Sequence, residues 1–257
     1  MDCFKANSAH HIRVRRFMLA LVLGILATGY YLKGGWVISA MDLAAHGPYS
    51  VSQRVEEYGK SVEARLGPDF ASAGITYPPK KAIFVVLKQE REMQIYAKDS
   101  AGEYRFIRSY PILAASGHLG PKLREGDEQV PEGIYGVESL NPNSHYHLAL
   151  HVDYPNAFDR AEGQADGRKD LGGDIMIHGN HVSIGCIAVG DAAAEDLFVL
   201  AAQVGLPNIR LIICPFDFRL TKKALAGPDL PNWTPKLYAQ LERALAGLPV
   251  PPNRHDE

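Results

Sequence analysis

The chain is 257 residues long, 46% hydrophobic and 22% charged, with 27 Lys and Arg against 29 Asp and Glu for a net charge of −2. That length leaves room for one substantial globular domain with appendages. The composition is that of an ordinary folded protein and lacks the basic surface that nucleic-acid binding needs, so no nucleic-acid partner is expected.

In chain order, Arg13, Arg15 and Arg16 precede an uncharged run beginning at Phe17. A basic region followed by an apolar one has the form of an export signal. The run is about 16 residues long, short of the ~20 that span a bilayer comfortably. Ala27-Thr28-Gly29 and Ile38-Ser39-Ala40 offer small-residue cleavage sites, while the apolar stretch resumes after Lys33, which leaves an uncleaved anchor open. Residues 1–41 are therefore expected to be a signal peptide or membrane anchor. The positive flank keeps the N-terminus inside and sends the rest to the periplasm or cell envelope.

Residues 42–78 read as a helical spacer, with the helix over 51–66 a packing or spacer element. Val51, Val55, Val62 and Leu66 fall at helical spacing over residues 51–66, and Gly67-Pro68 reads as the stop. After Tyr77-Pro78-Pro79 a main domain is expected over residues 79–216. Ala82 to Leu87, Met93 to Ala97, Tyr104 to Ile112, Tyr146 to Val152 and Ile175 to His178 read as strands, with turns at Glu90-Arg91 and residues 99–102. Asp191 reads as the N-cap of a helix over 192–204 that Gly205 ends, and Ile209 to Ile213 as a last core strand. Residues 217–257 form a helical tail, with Leu237, Leu241 and Leu245 on a helix that Pro235 starts and Gly247 stops. The fold class expected is mainly β with flanking helices.

The chemistry concentrates in Ile175-Met176-Ile177-His178-Gly179-Asn180-His181-Val182-Ser183-Ile184-Gly185-Cys186-Ile187. A thiol is a nucleophile only as thiolate, and a nearby imidazole is the usual means of making one. The apolar run delivers His178 to a strand end, Gly179 allows a tight turn, and Gly185 allows close approach beside Cys186. Main-chain N–H groups around residues 184–186 could form an oxyanion hole. Ser183 either donates there or supports the loop. Of the other cysteines, Cys3 precedes the signal. Cys214 ends an apolar run and reads as a small buried hydrophobe, not a disulfide partner.

Other residues weigh less. His178, His181 and Cys186 could suggest a metal, but the His-x-x-His spacing lies on a turn, so no metal and no cofactor is expected. His145, His147 and His151 share one parity and would occupy one strand face, either marking the cleft or a metal site or, the reading preferred, forming a partly solvated face. Arg160 either forks onto a substrate carboxylate or pins its loop with Asp159. Arg124 and Glu125 are further cleft candidates.

These residues resemble the signature of the L,D-transpeptidase (YkuD) family, in which His-Gly precedes Ser/Thr-x-Gly-Cys. The run from Leu150 to Arg160, with Tyr154-Pro155-Asn156, resembles that family's tyrosine-proline-asparagine stretch. Residues 121–127 and 130–137 resemble its proline-glycine loop. The similarity spans roughly residues 80–215. Ile184-Gly185-Cys186 stands where many members have His-Gly-Cys, and His178 is only five residues from Ser183. Both departures are similar to the YafK-like branch, which includes enzymes that hydrolyse peptidoglycan links.

The resemblance implies a β-sandwich catalytic domain in which Cys186 is the nucleophile and His178 the base, its other ring nitrogen held by a main-chain carbonyl. The attacked carbonyl would be that of the L-centre of diaminopimelate in peptidoglycan stem peptides. The thioester would pass to an amine, making a crosslink or attaching a lipoprotein, or to water. Tyr154, Asn156, Arg160 and His181 become substrate-binding candidates, and the membrane a partner if the N-terminal segment stays uncleaved. Two other readings compete: a wall-binding protein without activity, and a metal-dependent peptidase using the histidines.

Overall fold

The computed structural model describes residues 47–221 and 230–252. The expected signal or anchor, Cys3 and parts of the C-terminal tail lie outside the described residues. Among those described, no helix is long and apolar enough to cross a membrane.

Among the described residues the fold consists of two five-stranded sheets and four α-helices. Sheet A contains β1 (Ala82–Leu87), β2 (Glu92–Lys98), β3 (Tyr104–Pro111), β5 (Gly133–Tyr135) and β10 (Ile209–Cys214), in the order β3-β2-β1-β10-β5. Sheet B contains β4 (Ala114–Ala115), β6 (Val137–Ser144), β7 (His147–Val152), β8 (Met176–His178) and β9 (Ile187–Ala188), in the order β4-β9-β8-β7-β6. The architecture is mainly β with flanking helices, as expected. β1 is apolar throughout because it is covered twice, a pattern usual for a central strand. Ala82, Phe84 and Val86 enter the main core, while Ile83, Val85 and Leu87 meet α4 (Thr234–Ala246) on the other side. β10 lies between β1, to which it is parallel, and β5, to which it is antiparallel.

The first helix, α1 (Val51–Ser72), packs into the main core. Val62, Leu66 and Phe70 are fully buried in the main core, and Arg65 pairs with Glu195 and Asp196 of α3 (Asp191–Val204). The helix also runs through Gly67-Pro68, the expected stop. Phe70, one turn beyond Leu66, buries on the same face, and that packing outweighs the local cost of the breakers. A Ser50–Gln53 capping box starts it.

Several elements were not anticipated. α2 (Ala157–Ala165) begins at Asn156, whose side chain accepts from Asp159 N–H while Asp159 accepts from Asn156 N–H. β6 reads Val-Glu-Ser-Leu-Asn-Pro-Asn-Ser, poor in strand formers, and it forms because it is an edge strand paired along β7. Asp191 is the first residue of α3, not its cap. Gly190 holds the cap position, and the Asp191 carboxylate instead accepts the Asn180 N–H at 2.7 Å.

Candidate active site

β8 and β9 run parallel, with Ile177 beside Ile187 and His178 beside Ala188. Paired residues share a face and faces alternate along a strand. Ile177 and Ile187 point into the core, so His178 projects from the opposite face. Continuing the register one step back puts Met176 beside Cys186, on that same face. A strand spacing of ~4.8 Å and a two-residue offset of ~6.6 Å separate the Cα atoms of Cys186 and His178 by about 8 Å, within reach of two side chains.

His178 is 2% exposed, and its Nδ1 lies 2.6 Å from the Gly179 carbonyl oxygen. Nδ1 therefore carries the proton and Nε2 the basic lone pair. The Tyr146 ring stacks on the imidazole at 4.8 Å between centroids. Burial holds the His178 pKa below its ordinary value, against the opposing pull of the Gly179 carbonyl and Asp191. Gly179 is required by space: a Cβ there would lie 2.5 Å from Asp191 Oδ1 and 2.8 Å from the Tyr146 carbonyl oxygen.

The Cys186 thiol donates to the Asp174 carbonyl at 3.5 Å. Burial raises its pKa, the Met176 main chain lowers it, and the Asp174 carboxylate and Lys122 ammonium act in opposite directions. Both shifts favour the uncharged forms, thiol and imidazole. Gly185 takes φ of +85°, and its N–H donates to Ser116 Oγ, whose own proton goes to the Glu128 carbonyl at 2.7 Å. Ser183 Oγ donates to the Cys186 carbonyl, supporting the loop from within.

The loop candidates divide. The Tyr154 hydroxyl donates to the Leu171 carbonyl at 3.0 Å, and Asn156 caps α2 and donates to the Ile134 carbonyl at 2.9 Å. Both spend their polar atoms on the loop framework instead of offering them to a substrate. Asp159, buried, completes the cap and takes the pinning role, its pKa pushed up to about 6 by desolvation. Arg160 stands exposed on α2, and His181 exposed on the turn after His178. Arg124 and Glu125 lie exposed on the loop after Lys122.

The histidine trio does not share a face. His145 sits in the turn between β6 and β7, and His147 turns with φ of +73° to meet Glu195 at 3.0 Å. His151 bridges Glu138 and Asp174 at 2.9 and 3.2 Å. No group of three or more His, Cys, Asp or Glu that could hold a metal occurs among the described residues. Cys214 is fully buried and unpaired on β10, and no disulfide links it to Cys186.

Sequence reading missed Ser116, Lys122 and Asp127. Buried Lys122 donates to the Arg124 carbonyl at 2.8 Å and pairs with Asp127, which also accepts the N–H groups of residues 123, 124 and 129. A short acid accepting successive main-chain N–H groups is a turn signal, and Asp127 after Gly126 could have been read as one.

A domain of this architecture, with a carbonyl-held histidine ending one strand and a cysteine just before its parallel neighbour, matches a known family. Residues 80–207 fit the model of YkuD, the L,D-transpeptidase catalytic domain, and this part of the chain belongs to that family. YafK of Escherichia coli strain K12, a provisionally named L,D-transpeptidase, is 40% identical over 136 residues, which is 51% of this chain and 52% of YafK. The chain thus matches about half the length of its curated relatives. Among solved structures, the helical cell shape determining protein Pgp2 from Campylobacter jejuni is 25% identical over 53% of this chain and 48% of its own, with a TM-score of 0.43. L,D-transpeptidase 3 from Mycobacterium tuberculosis is 13% identical over 52% of this chain and 60% of its own, with a TM-score of 0.28.

Proposed function

We propose that this protein is an exported cysteine acyltransferase, an L,D-transpeptidase acting on peptidoglycan stem peptides through a thioester at Cys186. The observation that supports it most is the parallel pairing of β8, which ends in His178 with its Nδ1 spent on the Gly179 carbonyl, with β9, which Cys186 immediately precedes. His178 Nε2 takes the thiol proton as Sγ attacks the carbonyl of the L-centre of diaminopimelate. A C–S bond forms and the carbonyl oxygen becomes an oxyanion. Its collapse breaks the C–N bond, and the imidazolium gives its proton to the departing D-alanine or other amine. An incoming amine then loses its proton to Nε2 as it attacks the thioester, and the C–S bond breaks to restore the thiol. An amine acceptor yields a crosslink or an attached lipoprotein. Water in its place makes the same residues a hydrolase.

In this reading Gly179, Ser183 and Gly185 shape the turn, and Tyr154 and Asn156 hold the loop that presents Arg160. Arg160 and His181 face the substrate. Residues 79–216 form the catalytic domain, which residues 1–41 direct to the periplasm or cell envelope.

The test incubates the purified full-length chain, with a Cys186→Ala control, on sacculi and reads muramidase-released products by mass spectrometry. New diaminopimelate–diaminopimelate links or amine exchange, absent in the control, establish a transpeptidase. Cysteine-dependent loss of links without new bonds identifies the hydrolase. Identical products from both samples would reject the proposal in favour of a wall-binding protein.

A further inference from the structure

Gly185 carries the main-chain N–H that the sequence suggests as an oxyanion donor, yet that N–H is already given to Ser116 Oγ. Ser116 directly follows β4. Continuing the antiparallel β4–β9 register one step beyond Ala115–Ile187 sets Ser116 opposite Cys186, and directly opposed residues share a face of the sheet. The Ser116 proton points to the Glu128 carbonyl at 2.7 Å. The hydroxyl therefore accepts one hydrogen bond from the nucleophile turn and holds one proton that rotation about a single bond can redirect. An oxygen already accepting from an N–H is polarised into a stronger donor.

We propose that Ser116 supplies the side-chain donor of the oxyanion hole. As Cys186 attacks, the Ser116 O–H turns from the Glu128 carbonyl to the developing oxyanion, while the Gly185 N–H stays on Oγ. No covalent bond to Ser116 forms or breaks, and its proton stays with it. The inference rests on the thioester chemistry proposed above and moves the oxyanion contact from Gly185 to a residue outside the nucleophile segment.

The test compares Ser116→Val with the isosteric Ser116→Thr in the full-length chain, with Ser116→Ala as a smaller replacement. The substrate is the mixture of disaccharide-peptide muropeptides from muramidase-digested sacculi, followed on the species whose conversion depends on Cys186. Alkylation of Cys186 by iodoacetamide, mapped by peptide mass spectrometry, is measured alongside, because displacement at a saturated carbon creates no oxyanion. Valine and alanine are expected to lower kcat about 10²–10³-fold, with KM and alkylation rate within about twofold of wild type, and threonine to retain kcat within about tenfold. An unchanged kcat in the valine and alanine variants, an alkylation rate that falls in parallel, or a threonine variant as impaired as valine would each overturn the assignment. Turnover that survives Cys186→Ala would instead sink the thioester chemistry itself.

Discussion

His178 Nδ1 lies 2.6 Å from the carbonyl oxygen of Gly179, its own successor in the chain. The imidazole is thus oriented by the backbone turn that it begins, and among the described residues no carboxylate is hydrogen-bonded to its ring. The geometry of that turn then sets the orientation of the imidazole. Asp191 and the Tyr146 carbonyl close on Gly179 so tightly that only glycine fits.

Gly179→Ala should therefore act on chemistry as well as stability. Forcing a methyl against the Asp191 carboxylate and the Tyr146 carbonyl should cost about 1–3 kcal/mol. The same shift moves the carbonyl that fixes the imidazole, so turnover should fall by at least about tenfold even where the variant is fully folded. Denaturant titration gives the first quantity, and kcat on sacculus-derived muropeptides the second. Wild-type turnover in a folded Gly179→Ala protein would refute the orienting role.

The pH dependence follows from two burial effects. Burial depresses the His178 pKa, so the neutral base persists to acidic pH and the acid limb of kcat/KM should lie below the ordinary histidine value. Burial raises the Cys186 thiol, so alkylation by iodoacetamide without substrate should be slow at pH 7 and climb only above the ordinary thiol value. Rapid alkylation at pH 6 would mean a preformed thiolate and contradict the raised thiol pKa.

Asp159 and His178 should bend the stability curve in opposite directions. The folded pKa of Asp159, about 6, stands above the ordinary 3.8. Folding thus favours its protonated form, and its ionisation cost is absent at low pH, grows from about pH 4 and is complete above about pH 6. His178 has a folded pKa below its unfolded one, so its cost appears as pH falls below the ordinary histidine value and is complete below the folded pKa. Asp159→Asn should raise stability at pH 7 by up to about 3 kcal/mol and flatten the decline between pH 4 and 6. Melting temperatures across that range provide the check, and a variant with wild-type pH dependence would refute the burial effect.

Buried Glu132 joins three parts of the chain. It accepts from Lys88 Nζ at 2.9 Å, from the Gly120 N–H and from the Tyr238 hydroxyl at 2.7 Å. Tyr238 lies on α4, beyond the family-matched residues, so the C-terminal helix helps to hold the loop that carries Lys122. Glu132→Ala leaves buried Lys88 with the Gly120 and Val130 carbonyls but no counter-charge and should cost about 3–5 kcal/mol, whereas Tyr238→Phe should cost about 1–2 kcal/mol. Equal and negligible losses in urea unfolding would show that the junction is incidental.

If α1 is part of the core, Phe70→Ala should destabilise the domain by about 3–5 kcal/mol, as a large cavity does. A detached helix would pass such a change through with little effect on the unfolding midpoint.

The apolar runs of β1, β8 and β10, the glycine and proline punctuation of α4 and the His178–Cys186 segment were legible in the sequence, because burial on a sheet writes itself as local pattern. So was Cys214, whose place at the end of an apolar strand predicts a packed thiol. β6 and α2 were not, since their local propensity is weak and pairing with β7 and the Asn156–Asp159 cap create them. Gly67-Pro68 and the histidine parity misled for one reason: each is a local rule overruled from a distance, by the packing of Phe70 and by the Glu195 contact with His147. What the sequence alone pointed to was a cysteine–histidine segment and the family signature that it resembles. Only tertiary structure decided which partner each polar atom takes, that Gly185 gives its N–H to Ser116 and Asp191 its carboxylate to Asn180. Residues far apart in the chain compete for the same hydrogen bonds, and no local pattern records the outcome.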